Sequence, residues 1–188
     1  MRKKLLALFA VLAFTLAGTA QESCQKTYLG FGSGLESPTG MIGFTAEGAI
    51  GKQFAIDGAI GISGWGFRYT GGIKYYTKEC YRGLALGMAW SRSSGLPEIE
   101  LDMEVDGGQT ETVTMEYFPQ DNVQLSVYRY WPIKQRARFH LQAGYSINVS
   151  PKNYKVLSDH QLSQFSKDVM KITIPGGLIL AAGFSFGI

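Results

Sequence analysis

Four groups of residues in this 188-residue sequence have the types and spacing to do chemistry. The first is Glu47, Asp57, Arg68, Lys74, Arg138 and His140, each on the less apolar side of an alternating stretch. Such a set could pass protons or ions. The expected reading is a paired network that fills space, because charges taken out of water must be partnered, and an ion path is the minor one. The second is Glu98, Glu100, Asp102, Glu104 and Asp106, acids at every second position with Ile99, Leu101, Met103 and Val105 between them. That face could take a divalent cation or a basic partner, but it lacks the glycine-bearing geometry of a calcium loop. The third is His160, beside Asp159 and near Ser158, Ser163 and Ser166. A hydrolase could be built from these types only if they converged, which spacing does not show. The fourth is Cys24 and Cys80. With no CxxC and two histidines in the whole chain they make no zinc site, and a disulfide between them is permitted.

Composition narrows the classes. The chain is 45% apolar and 18% charged, with 24 glycines, about twice the usual share. Eighteen Lys and Arg stand against fifteen Asp and Glu, but Arg2, Lys3 and Lys4 account for the excess. The chain beyond residue 20 is neutral, so no nucleic-acid partner is expected. Residues 1–20 read as a cleaved signal peptide: a basic start, an apolar run of about twelve residues, and Gly18-Thr19-Ala20 before Gln21. The run is short of the ~20 residues that a spanning helix needs. The mature domain is then 21–188.

The elements that would position these groups are strands. Apolar residues recur with period two over 40–50, 54–63, 65–76, 83–91, 138–149 and 178–188, and more weakly over 27–34 and 122–131. That makes eight. Arg129 interrupts the apolar side of its strand, which requires a bulge or a snorkelling side chain. Short connections at 51–53, 77–82 and 132–135 alternate with longer ones, above all 92–121 and 150–173. Within the first long loop, Asp106-Gly107-Gly108 is a turn signal and 109–118 reads as a returning strand, so a hairpin protrudes. If Leu101 pairs with Val113, the acids face Thr110, Thr112 and Thr114. A helical turn or two is expected near Ser158 to Lys167.

The face opposite the apolar one decides what surrounds these strands. A sheet wetted on that side would carry Lys, Glu and Thr. Here it carries Gly30, Gly32 and Gly34 on one strand and Gly83, Ala85, Gly87 and Ala89 on another. Small residues of this kind make room inside a narrow barrel for Arg68, Lys74, Tyr76, Tyr128, Arg138 and His140. The apolar face then points outward. From Trp65 to Tyr75 is a span of about 25 Å, the height of an outer-membrane apolar band. Aromatics mark both ends of it: Phe54, Tyr75, Trp131, Phe139 and Phe186 toward the short turns, and Trp65, Phe67 and Trp90 toward the long loops.

With strand alternation, turn asymmetry and a closing Gly183-Phe184-Ser185-Phe186-Gly187-Ile188, residues 27–188 resemble the small eight-stranded outer-membrane β-barrels, the group containing OmpX and the membrane domain of OmpA. The family's assembly signal closes on an aromatic residue, whereas this chain closes on Ile188. The resemblance implies an all-β, eight-stranded antiparallel up-and-down transmembrane barrel in the outer membrane of a Gram-negative-type cell. Its partners would be outer-membrane lipid, lipopolysaccharide and the barrel assembly machinery. The expected role is non-catalytic and without a cofactor: surface structure, adhesion or partner binding through the long loops, with an extracellular protein or divalent cation at the acidic hairpin. Two alternatives stand beside it. One is a lipid A-modifying enzyme using His160 and Ser163, since some barrels of this size are such enzymes. The other is a soluble periplasmic barrel holding an apolar ligand, which requires the aliphatic faces to point inward.

Overall fold

A computed structural model describes residues 26–133, 136–158 and 161–188. The expected signal peptide and Cys24, Asp159 and His160 lie outside the described residues. In chain order the strands are β1 (Thr27–Leu35), β2 (Ile42–Ala49), β3 (Phe54–Ser63), β4 (Gly66–Lys78), β5 (Arg82–Ser93), β6 (Leu96–Glu104), β7 (Thr110–Tyr117), β8 (Gln120–Pro132), β9 (Ala137–Asn148), β10 (Tyr154–Val156) and β11 (Gly177–Gly187). One helix, α1 (Gln164–Thr173), lies between β10 and β11.

Eight of these strands close a barrel in the order β1-β11-β9-β8-β5-β4-β3-β2, and every neighbouring pair is antiparallel. The alternation read from the sequence holds along each wall. Ile56, Ile60, Ile73, Leu86, Leu125 and Leu141 point out and are exposed, while Lys74, Arg68, Arg138 and Gln142 point in and are buried. Arg129 interrupts nothing, since β8 runs in unbroken register with both β5 and β9. Its guanidinium instead reaches along the outer face to 5.7 Å from the Trp131 ring, so it snorkels.

The remaining strands form a separate layer above the long-loop rim, in the order β10-β7-β6. Leu101 pairs with Val113, Asp102 with Thr112 and Glu100 with Thr114, so the acids and threonines share one face. The opposite, apolar face is covered. Met103, Val105, Val113 and Met115 are buried against Leu162 and Met170, the latter brought in by α1. The helix begins where Ser163 accepts a hydrogen bond from the Ser166 N–H at 3.2 Å, an N-cap, and it runs further than the sequence suggests. Trp65 differs from expectation as well. It is 3% exposed, stacked on Tyr117 at 3.9 Å, with its indole N–H donating to the Phe118 carbonyl at 3.0 Å. It therefore joins the loop layer's core and not an outer girdle, because that layer gives an aromatic ring at the rim a dry place to pack.

Candidate functional site

The barrel's interior gathers the first group of residues. Glu47 and Asp57 stand directly opposite each other on β2 and β3, an arrangement of like charges that is destabilising unless a cation lies between them. Lys74 supplies it, with Nζ 3.1 Å from Glu47 and 3.3 Å from Asp57. Arg138 grips the same Glu47 carboxylate at 2.7 Å. Its other donors go to Ser185 Oγ at 2.8 Å, Tyr76 Oη at 3.2 Å and the Tyr81 carbonyl at 3.0 Å. The Tyr76 hydroxyl donates to Glu47 at 2.7 Å. Aromatic rings close the cage, with the Arg138 guanidinium 3.6 Å from Tyr28 and 4.3 Å from Tyr130, and Lys74 4.6 Å from Tyr128. Two glycines make this possible. A Cβ at Gly87 would stand 2.8 Å from the Tyr128 ring, and one at Gly183 would stand 2.6 Å from the His140 ring.

Arg68 is not part of that cluster. It belongs to a second one nearer the long-loop rim, where the connection between β1 and β2 folds inward over the lumen. Arg68 pairs with Glu36 at 3.1 Å and donates to the Ser37 carbonyl at 3.1 Å and Ser93 Oγ at 3.2 Å. Thr70 holds the Pro38 carbonyl at 2.8 Å and Gln124 holds the Glu36 carbonyl at 3.0 Å. Burial pushes the Glu36 carboxyl up from the ordinary carboxylate range, while the Arg68 guanidinium and the Gly176 backbone pull it back. Beneath this plug a cavity of about 30 Å³ remains, room for two or three waters at ~10–15 Å³ each. His140 lines it, in contact with Tyr130 at 5.1 Å between ring centroids, and its Nδ1 makes no hydrogen bond among the described residues.

Sequence reasoning missed Glu36, Tyr28, Tyr81 and Tyr130. For Glu36 a signal existed: Glu47 and Asp57 cannot balance Arg68, Lys74 and Arg138, so a third acid was owed to the lumen. Three acids now meet three cations there, so the chemistry of this interior is pairing. An open ion path would need charges left over, and the plug would have to move.

The second group sits as expected on the outer face of the β6–β7 hairpin. Thr112 donates to Asp102 at 2.7 Å, and Lys155 of β10 stands in register beside Glu116. Among the described residues no three His, Cys, Asp or Glu side chains converge to hold a metal ion. Of the described serines of the third group, Ser163 and Ser166 touch each other, while the Ser158 N–H donates to the Thr114 carbonyl at 3.4 Å. Ser163 is the cap of α1, and the Ser166 hydroxyl donates to the Glu104 carbonyl at 2.8 Å, so both hydroxyls hold the loop together. Cys80, in the turn between β4 and β5, is disulfide-bonded. In that turn Tyr81 packs edge-on against Tyr76 and its hydroxyl donates to the Gly51 carbonyl. No protein-family model and no curated protein matches this chain.

Proposed function

We propose that this protein is a non-catalytic outer-membrane barrel whose plugged, charge-paired lumen is a scaffold and whose long-loop layer is the part that meets other molecules at the cell surface. The observation that carries this reading is the inversion of the barrel: aliphatic and aromatic side chains form its outer surface while the lumen acids and bases partner one another within. In water such an outer surface would far exceed the few hundred Å² of apolar patch that soluble monomers tolerate. In a bilayer it is the surface required. A periplasmic carrier of an apolar ligand would need the opposite arrangement.

The layer above the rim has its own dry core, so it stands in water on the far side of the bilayer. Its acidic face and the exposed side of α1 are then the surfaces offered to partners. A lipid A-modifying enzyme would need Ser163 free to act as a nucleophile, and its role as helix cap speaks against that; Ser163→Ala is expected to leave lipid A composition unchanged.

The test is gel mobility of the protein from an outer-membrane fraction, unboiled and boiled, because folded membrane barrels resist SDS until heated. A heat-dependent shift in that fraction is the expected result. Recovery in the soluble periplasmic fraction without a shift overturns the reading.

A further inference from the structure

The two ends of the barrel carry opposite charge. At the short-turn end Lys26 precedes β1, Lys52 lies between β2 and β3, Lys78 and Arg82 flank the next turn, and Arg136 leads into β9; all are exposed. Arg129 adds a sixth cation from the outer face of β8. Among the described residues Glu79 is the one acidic side chain at this end, 3.9 Å from Lys52. At the other end the stretch between Arg92 and Arg129 holds eight acids and no base. The chain after residue 20 is neutral, so this polarity comes from placement and not from excess.

Arg129 shows what the cations are placed against. Val127 and Trp131, its neighbours on the outer face, are exposed apolar residues, and the guanidinium lies over the Trp131 ring with no carboxylate beside it among the described residues. Arg92, which leaves the same outer face at the opposite rim, is instead paired with Asp121 at 3.4 Å. Just inside the cationic rim run the aromatic pairs Phe54–Tyr75, 5.1 Å apart, and Trp131–Phe139, 5.8 Å apart. Rings at this level mark where an apolar belt meets headgroups. Long basic side chains beyond them reach the phosphates, and a guanidinium fork matches a phosphodiester's two free oxygens.

We propose that the short-turn end is a cationic collar seated on anionic phospholipid headgroups, with Arg129 and Arg136 as direct phosphate ligands and Lys26, Lys52, Lys78 and Arg82 completing the ring. The proposal rests on the membrane-barrel reading above, and it specifies the lipid at one end. The occupant is a lipid headgroup and not free phosphate, because the collar continues the apolar belt without a break.

The experiment places the full protein, folded in a neutral detergent, against short-chain phosphatidylglycerol, short-chain phosphatidylcholine or inorganic phosphate, following the arginine Nε–H resonances. Saturable shifts of Arg129 and Arg136 with phosphatidylglycerol alone are expected. Affinity should fall roughly fivefold for each collar cation replaced by glutamine, as in Lys52→Gln and Arg136→Gln. Both residues are exposed, so the variants keep the fold. Equal shifts with phosphatidylcholine, or no shift with phosphatidylglycerol, overturn the proposal. Shifts reproduced by inorganic phosphate also overturn it, by making the ring a free-anion site. A protein that shows no heat-dependent mobility in this detergent takes the proposal down with the membrane reading, an outcome distinct from a folded barrel indifferent to lipid charge.

Discussion

The barrel wall and the layer above it are both β-sheet built from two-residue alternation, yet they bury opposite faces. In the wall the charged and tyrosine side is hidden, as at Lys74, Arg138 and Tyr76, and Ile73 and Leu86 are exposed. In the layer Val113 and Met115 are hidden and Glu98 and Glu100 are exposed. On the membrane-barrel reading proposed above, one chain folds against two solvents. Period two says that a strand has two sides; which side goes in depends on what lies outside. The interactions that hold the two regions differ accordingly. The wall's interior depends on a few charge pairs whose loss strands a buried partner, and the layer depends on close-packed apolar side chains.

Arg138→Ala should break the comparison hardest. It removes one of the two cations on Glu47 and leaves that carboxylate, together with Tyr76 and Ser185, short of partners. Breaking a buried pair from one side costs about 3–5 kcal/mol. The expected result is a lower heating temperature for the gel-mobility shift, with the loop layer's protease resistance lost at the same point because the barrel carries it. Arg138→Ala with an unaltered shift would mean that the lumen network is solvated and adds little. Trp65→Ala removes the stack on Tyr117 and a hydrogen bond, a loss of about 3–5 kcal/mol for a large core aromatic. Its effect should stay in the layer: protease cuts at 92–121 and 150–173 appear while the barrel's shift is unchanged. Loss of the barrel itself would show that the two regions are one cooperative unit.

Ile73→Arg reads the solvent directly. Ile73 lies midway along the outer face of β4, 47% exposed. At the middle of a bilayer an arginine there costs about 2–4 kcal/mol, whereas on a surface facing water the same change is neutral. The gel shift of the variant should therefore move to lower temperature. An Arg substitution without cost would place the outer face in water and invert the comparison.

Much of this was legible from residue types. The eight barrel strands, the inward side of Arg68, Lys74 and Arg138, and the pairing of Leu101 with Val113 follow from alternation and one turn signal. The parts that were not legible depend on contacts between distant segments. Tyr154–Val156 is too short to show a period, and it becomes a strand because β7 offers it an edge. Helix α1 carries only Ser166 and Met170 to the core, too few for a helical stripe to stand out. Trp65 has the residue type and phase of a girdle aromatic, and only the presence of Tyr117, far along the chain, turns it inward. The β1–β2 connection looks like an ordinary surface loop, because nothing local records that Arg68 and Gln124 pull it into the lumen.

Glu36 sits on the boundary between the two regions and gives the smallest and most local reading of it. Its carboxyl is raised by burial, with Arg68 the strongest opposing influence. A carboxyl raised on folding binds its proton more tightly in the folded state than in the unfolded one. Its contribution to stability is therefore present below the ordinary carboxylate value and is lost as pH rises through the raised one. Across that window the plug should loosen slightly as the solution becomes less acidic, the reverse of the usual salt-bridged acid. In Arg68→Gln the main opposing influence is gone, so the carboxyl should titrate higher still and the window should widen upward. A carbon-detected NMR titration of the Glu36 carboxyl in the folded barrel measures both. A midpoint at the ordinary carboxylate value would mean that the Glu36 side chain is wet, which would move the boundary between lumen and loop layer inward, beneath the plug, whereas one below it would mean that the pairing with Arg68 outweighs burial.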